Sequence, residues 1–92
     1  MERDGRNNRT NHRKNGISFE TAARIFDDPN AVSYLDRVVD DEERWHTIGS
    51  AGDIAIVLVV HISEEHHGEE KIRIISARKA TPKERRQHEK RI

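Results

Sequence analysis

Ninety-two residues, 33% hydrophobic and 37% charged, make one small domain with a thin core; a chain of this length buries only about 60–65% of its unfolded surface. No cysteine is present, which excludes disulfides and thiolate metal sites, and no apolar run nears the roughly 20 residues of a membrane span, so a soluble cytoplasmic protein is expected. The formal net charge of zero is unevenly spread: residues 1–16 carry +3, residues 17–70 carry −10 and residues 71–92 carry +7, so any footprint for an anionic ligand is local.

The first sixteen residues are polar, with Asn7, Asn8, Asn11 and Asn15 unfavourable inside a helix. A short helix from about Asp4 to Lys14, stopped by Asn15-Gly16, competes with disorder of residues 1–5. Ser18 is a good N-cap, and Phe19, Ala22, Ala23 and Phe26 recur at i, i+3, i+4 and i+7, which predicts a helix resting a phenylalanine stripe on a sheet. Asp27-Asp28-Pro29-Asn30 ends it.

Four strands are expected next. Ala31 to Leu35 is short and mixed, and the acidic stretch Asp36 to Glu43 reads as an exposed loop. Arg44 to Ile48 alternates, with Arg44, His46 and Ile48 on one face and Trp45 and Thr47 on the other. Ile54 to Ile62 is nearly unbroken apolar sequence, as in a central strand covered on both faces. A polar connection, Glu64 to Glu70, leads to the strand of Ile72, Ile74 and Ile75. Thr81, Pro82 and Glu84 then spell a helix start with a capping box. Short connections favour an antiparallel meander. The fold class expected is α+β: two N-terminal helices, a four-stranded mostly antiparallel sheet and a C-terminal helix, in a single domain over residues 1–92. Its core should be built on Phe19, Phe26, Ile56, Leu58, Val60 and Ile74.

Cations crowd the last segment: Lys71, Arg73, Arg78, Lys79, Lys83, Arg85 and Arg86. Cleavage of RNA by transesterification needs a group to take the 2′-hydroxyl proton, a group to protonate the leaving oxygen, and cations on the phosphate. Arginine suits the last task because its planar fork matches phosphate oxygens and stays charged. Arg44, Arg73 and Arg78 lie on or beside strands that can aim them. The same spacing also fits the solvent face of an edge strand whose arginines pair with Glu42 and Glu43. Arg73 and Arg78 are five apart, so they share a face only if the strand is irregular near Ser76-Ala77. His46 and His88 sit near cations and are proton-transfer candidates. His66-His67 among glutamates lacks the fixed spacing of a metal site, and no cofactor or metal is expected.

Several stretches resemble the BrnT family of toxins: N-x-x-K-x-G-I-S-F-E-x-A (Asn11, Lys14, Gly16, Ile17, Ser18, Phe19, Glu20, Ala22), Phe26-Asp27-Asp28-Pro29, Glu42-Glu43-Arg44-Trp45 with Ile48-Gly49, and the run from Arg73 to Thr81 with Glu84-Arg85-Arg86. The resemblance runs from about Asn11 to Glu89. It implies a RelE-like fold and a metal-independent ribonuclease toxin of a type II toxin–antitoxin pair in the bacterial cytoplasm. It also implies a BrnA-type ribbon-helix-helix antitoxin through which the pair binds operator DNA and represses its own operon. Carried over by position, Lys14, Glu43, Arg44, Arg73 and Arg78 become the catalytic candidates, with Lys79, Lys83, Arg85, Arg86 and His88 contacting RNA. Arg3, Asn15 and His88 stand where the family usually has tryptophan, histidine and tyrosine. The alternatives are a catalytically weakened homologue acting mainly as a co-repressor, and a plain RNA-binding module.

Overall fold

The structure is a computed structural model describing residues 2–3, 9, 12–52 and 55–90, with only the backbone described for Glu2, Arg3, Ala55 and His66. Four long strands form an antiparallel meander: β2 (Val32–Val39), β3 (Glu42–Ala51), β4 (Ala55–His66) and β5 (Glu69–Lys79). The pair β1 (Glu2–Arg3) adds to β5 in parallel, giving the order β1-β5-β4-β3-β2. The α+β architecture of the sequence reading is therefore present, with a short fifth strand that the sequence did not announce.

The strands are longer than expected because their turns are tight. Asp36 to Glu43 is not a loop: β2 continues to Val39, and Asp40-Asp41 turns the chain with φ of 49° and 66°. Positive φ at both central residues is the signature of a hairpin turn whose twist matches its strands. His67-Gly68, with φ of 52° and 81°, closes the β4–β5 hairpin in the same way, so Glu64 to Glu70 is mostly strand rather than polar connection.

The expected Asp4–Lys14 helix falls largely outside the described residues; residues 12–15 are helical, ending where the Gly16 N–H donates to the His12 carbonyl at 2.8 Å. Ser18 caps the next helix (Phe19–Ala22) by accepting from the Thr21 N–H. From Ala23 to Asp27 that helix tightens to a 3₁₀ turn. With three residues per turn, Phe19, Ala22 and Ile25 line up and are completely buried, while Phe26 moves to the flank and is only half-buried. Gly49 lets this helix touch β3: a Cβ there would lie 2.9 Å from Ile25 Cβ and 3.2 Å from its carbonyl oxygen.

One sheet face packs against this helix through Val57, Val59, Ile74 and Ala77. On the other face Ile48, Leu58 and Ile62 are buried, and the C-terminal helix (Pro82–Glu89) contacts β3. Ile56 and Val60 are half-buried rather than core. Thr81 and Glu84 form the capping box that the sequence spelled.

Candidate active site

Arg44 faces Ile62 on β4, and Ile62 faces Arg73 on β5, which places the two arginines in one row across three strands. Two strand spacings separate them, about 10 Å between Cα atoms. The register shifts between Val60 and His61: Val60 faces Ser76 but His61 faces Ile74, leaving Ile75 as an extra residue on β5. That bulge brings Arg73 and Arg78 to the same face despite their odd separation. The irregularity expected near Ser76-Ala77 is thus present one residue earlier. Ile74 and Ala77 consequently both point into the helix-covered core.

The next row holds Ser76, Val60, His46 and Tyr34. Here the Tyr34 hydroxyl lies 3.1 Å from His46 Nδ1, with the rings edge to face at 5.2 Å. Asp36 Oδ2 stands 3.6 Å from His46 Nε2, too long for a hydrogen bond but within ion-pair distance. Asp36 is itself a bulge residue, skipped between the Leu35–Trp45 and Arg37–Arg44 pairs, which lets it turn to His46. A hydrogen bond from Arg37 Nε at 2.7 Å, with help from His46, holds the Asp36 carboxyl below the usual range. Burial, assisted by Glu84 and Asp36, pushes the Tyr34 phenol up, so it stays protonated at neutral pH.

The arginines differ in freedom. The Arg73 side chain is 42% exposed and only loosely paired, 3.8 Å from Glu42 and 3.9 Å from Glu64. Arg44 is half-buried, and its Nε is buried without a hydrogen-bond partner among the described residues. Arg78 is engaged: its two terminal nitrogens donate to both Glu84 oxygens at 2.7 and 2.9 Å. This pairing, reinforced by the Thr81 N–H, holds the Glu84 carboxyl down at about 2. Arg78 thereby ties the end of β5 to the first turn of the C-terminal helix.

Other sequence candidates lie elsewhere. Lys14 is exposed on the helical stretch that Asn15 anchors to the Ala77 carbonyl at 3.1 Å. Glu43 alternates with Arg44 and sits on the opposite face, lining a hollow with Trp45 and His61. Lys79, Lys83, Arg85 and Arg86 are exposed at the end of β5 and along the helix. His88 is not at the surface: it is 4% exposed, and its Nε2 lies 2.8 Å from Asp28 Oδ2. Burial raises the Asp28 carboxyl, but N–H donors from Ser50 and Asn30 and the His88 contact outweigh it and leave the group below its ordinary value. His88 is therefore the latch that holds the C-terminal helix on the body of the fold.

Asp36 escaped the sequence reading because β2 was expected to end at Leu35, and Tyr34, though inside it, has no register against His46 when Asp36 to Glu43 reads as a loop. Extending the strand through the Asp40-Asp41 turn would have set both beside His46. The sequence matches, over residues 4–84, the family described as the ribonuclease toxin BrnT of type II toxin–antitoxin systems. A comparison with curated proteins returned no match. With most of its length matched, the chain belongs to the BrnT family of ribonuclease toxins.

Proposed function

We propose that this toxin cleaves RNA without metal, using His46, Tyr34 and Asp36 for proton transfer and Arg44 and Arg73 for the phosphate. The observation that carries this reading is His46 set between a phenol and a carboxylate on the face that holds both arginines. His46 takes the proton from a 2′-hydroxyl, and the freed oxygen attacks the adjacent phosphorus. The bond from phosphorus to the 5′-oxygen breaks, and Tyr34 gives that oxygen its proton. His46, stabilised as imidazolium by Asp36, then returns a proton to Tyr34 through their hydrogen bond. The products are a 2′,3′-cyclic phosphate and a 5′-hydroxyl. Arg44 and Arg73 offset the charge that develops on the phosphoryl oxygens. Lys79, Lys83, Arg85 and Arg86 track the RNA backbone, a role supported by their exposure and by the basic balance of the last segment.

Family membership supports an antitoxin partner, which we assign to the ribbon-helix-helix class, with the complex repressing its own operon. The co-repressor alternative draws on one fact: Glu84 already engages both terminal nitrogens of Arg78. The test is incubation of the purified toxin with a short RNA in EDTA. Cleavage leaving cyclic phosphate ends, lost in His46→Ala, supports the enzyme. Intact RNA bound in a salt-dependent way would favour the binding module.

A further inference from the structure

Strand β2 is the outermost strand of the sheet, and no strand among the described residues pairs with its far side. It is eight residues long, and most of it is exposed. Three of its large side chains lie open: Tyr34 at 36%, Leu35 at 44% and Val38 at 57%. An unpaired strand edge is a template for another strand, and folded proteins usually shorten, charge, bulge or cover such edges; here the Asp36-Arg37 bulge guards only the middle, leaving Ser33 to Leu35 and Val38-Val39 as open edge on either side.

Two further features adjoin this edge on the face of Leu35 and Val38. One is a hollow of about 420 Å³ walled by Phe26, Trp45 and Ile72, with His61 and Ser33 at its polar side. The other is acidic. Glu43, the partner of Val38 on β3, stands near Glu65 and Glu70, which face each other directly across the β4–β5 ladder. Like charges placed opposite one another are unfavourable, and Glu43, the member of this cluster nearest the β2 edge, is the one that a cation on an added strand can reach.

We infer that β2 receives an extended segment of the antitoxin, added as a sixth strand, with apolar side chains over Leu35 and Val38 and a lysine or arginine reaching Glu43, two strand spacings away on β3. The inference rests on the toxin reading above for the identity of the occupant. Main-chain hydrogen bonds along β2 supply affinity, and the hollow and its acidic rim select the sequence. Side chains of a strand alternate between faces, so the other half of the added segment falls beside Tyr34 and Asp36. Neutralisation then follows directly, since the strand walls off the side of the sheet where His46 works.

The experiment uses the complete toxin with its cognate antitoxin, and reads hydrogen exchange and binding. Amides of residues 32–39 should become protected in the complex, and more strongly than those of the C-terminal helix. The double variant Leu35→Lys, Val38→Lys should keep its RNA cleavage, because neither residue touches the proposed chemistry, yet bind antitoxin at least about 30-fold more weakly. Cells co-expressing antitoxin should then stop growing on this variant alone. Should the variant fail to fold, the exchange pattern of the unaltered complex still decides. Protection confined to the C-terminal helix, or unchanged affinity of the folded variant, overturns the inference. So does a free toxin that is already a dimer with the β2 amides protected, since a second copy is then the occupant. Absence of RNA cleavage by the free toxin would refute the enzymatic reading while leaving the exchange result to judge the docking edge.

Discussion

Lowering the pH from 7 to 5 should destabilise this protein through one residue, His61. Its side chain is 6% exposed, its Nε2 bonds to the Thr47 hydroxyl at 2.7 Å, and its ring meets Phe26 edge to face at 5.2 Å. Thr47 in turn bonds to Ser33 at 2.7 Å, so the imidazole ends a chain of hydroxyls, and the Glu70 carboxylate that shares its hollow only partly opposes the effect of burial. Burial, with a smaller push from His46, lowers its pKa to about 4. In the unfolded chain the value is about 6.5. Between these values the unfolded state binds more protons, so stability falls as pH falls through that window. The loss is about 2 kcal/mol at pH 5 and approaches about 3 kcal/mol below pH 4. That is a large share of the stability of so small a domain. Urea unfolding followed by Trp45 fluorescence from pH 7.5 to 4.5 measures it. His61→Gln, which can still bond to Thr47, removes the titration, and the difference between the two curves isolates His61. Parallel curves across the window would refute a neutral buried imidazole.

Other expectations are direct. Leu58→Ala, at a position 1% exposed in the middle of β4, should cost about 2–5 kcal/mol and be read as a fall in urea midpoint. Gly49→Ala should cost about 1–3 kcal/mol, because the new methyl meets the Ile25 backbone as well as its side chain. Glu84→Gln should cost about 1–2 kcal/mol in a thermal melt at pH 7, since it weakens the helix cap and the Arg78 clamp together. Glu42→Gln, by removing a competitor 3.8 Å from Arg73, should tighten RNA binding by up to about fivefold in a fluorescence titration at low salt.

The legible parts of this fold were those decided by a few neighbouring residues. Ser18 and the Thr81-Pro82-Glu84 cap act within one turn, and both caps form. The β4 run is apolar on both faces because both faces are covered. Less legible were features set by distant partners. The strand ends depended on Asp40-Asp41 adopting left-handed backbone, which aspartate tolerates without requiring it. Ile25 became core, and Phe26 a flank, because the helix tightened against Gly49. His88 looked like a surface proton carrier until Asp28, sixty positions earlier, was found to hold it. At the site, spacing alone brought Arg44 and His46 together and demanded a bulge for Arg73 and Arg78. It could not show that Glu84 would claim Arg78 or that Asp36 would turn to His46.

Single-turnover cleavage of a short RNA is the most direct test of where the chemistry resides. The toxin is compared with His46→Gln, Arg73→Ala and Lys83→Ala, each first confirmed as folded by circular dichroism. His46→Gln and Arg73→Ala should each lower the chemical rate by roughly 10²–10³ with near-normal RNA affinity. Lys83→Ala should weaken binding slightly, flatten the salt dependence, and leave the rate at saturation unchanged. Equal rates in all four proteins would contradict the assignment of the reaction to the face that carries His46, Arg44 and Arg73.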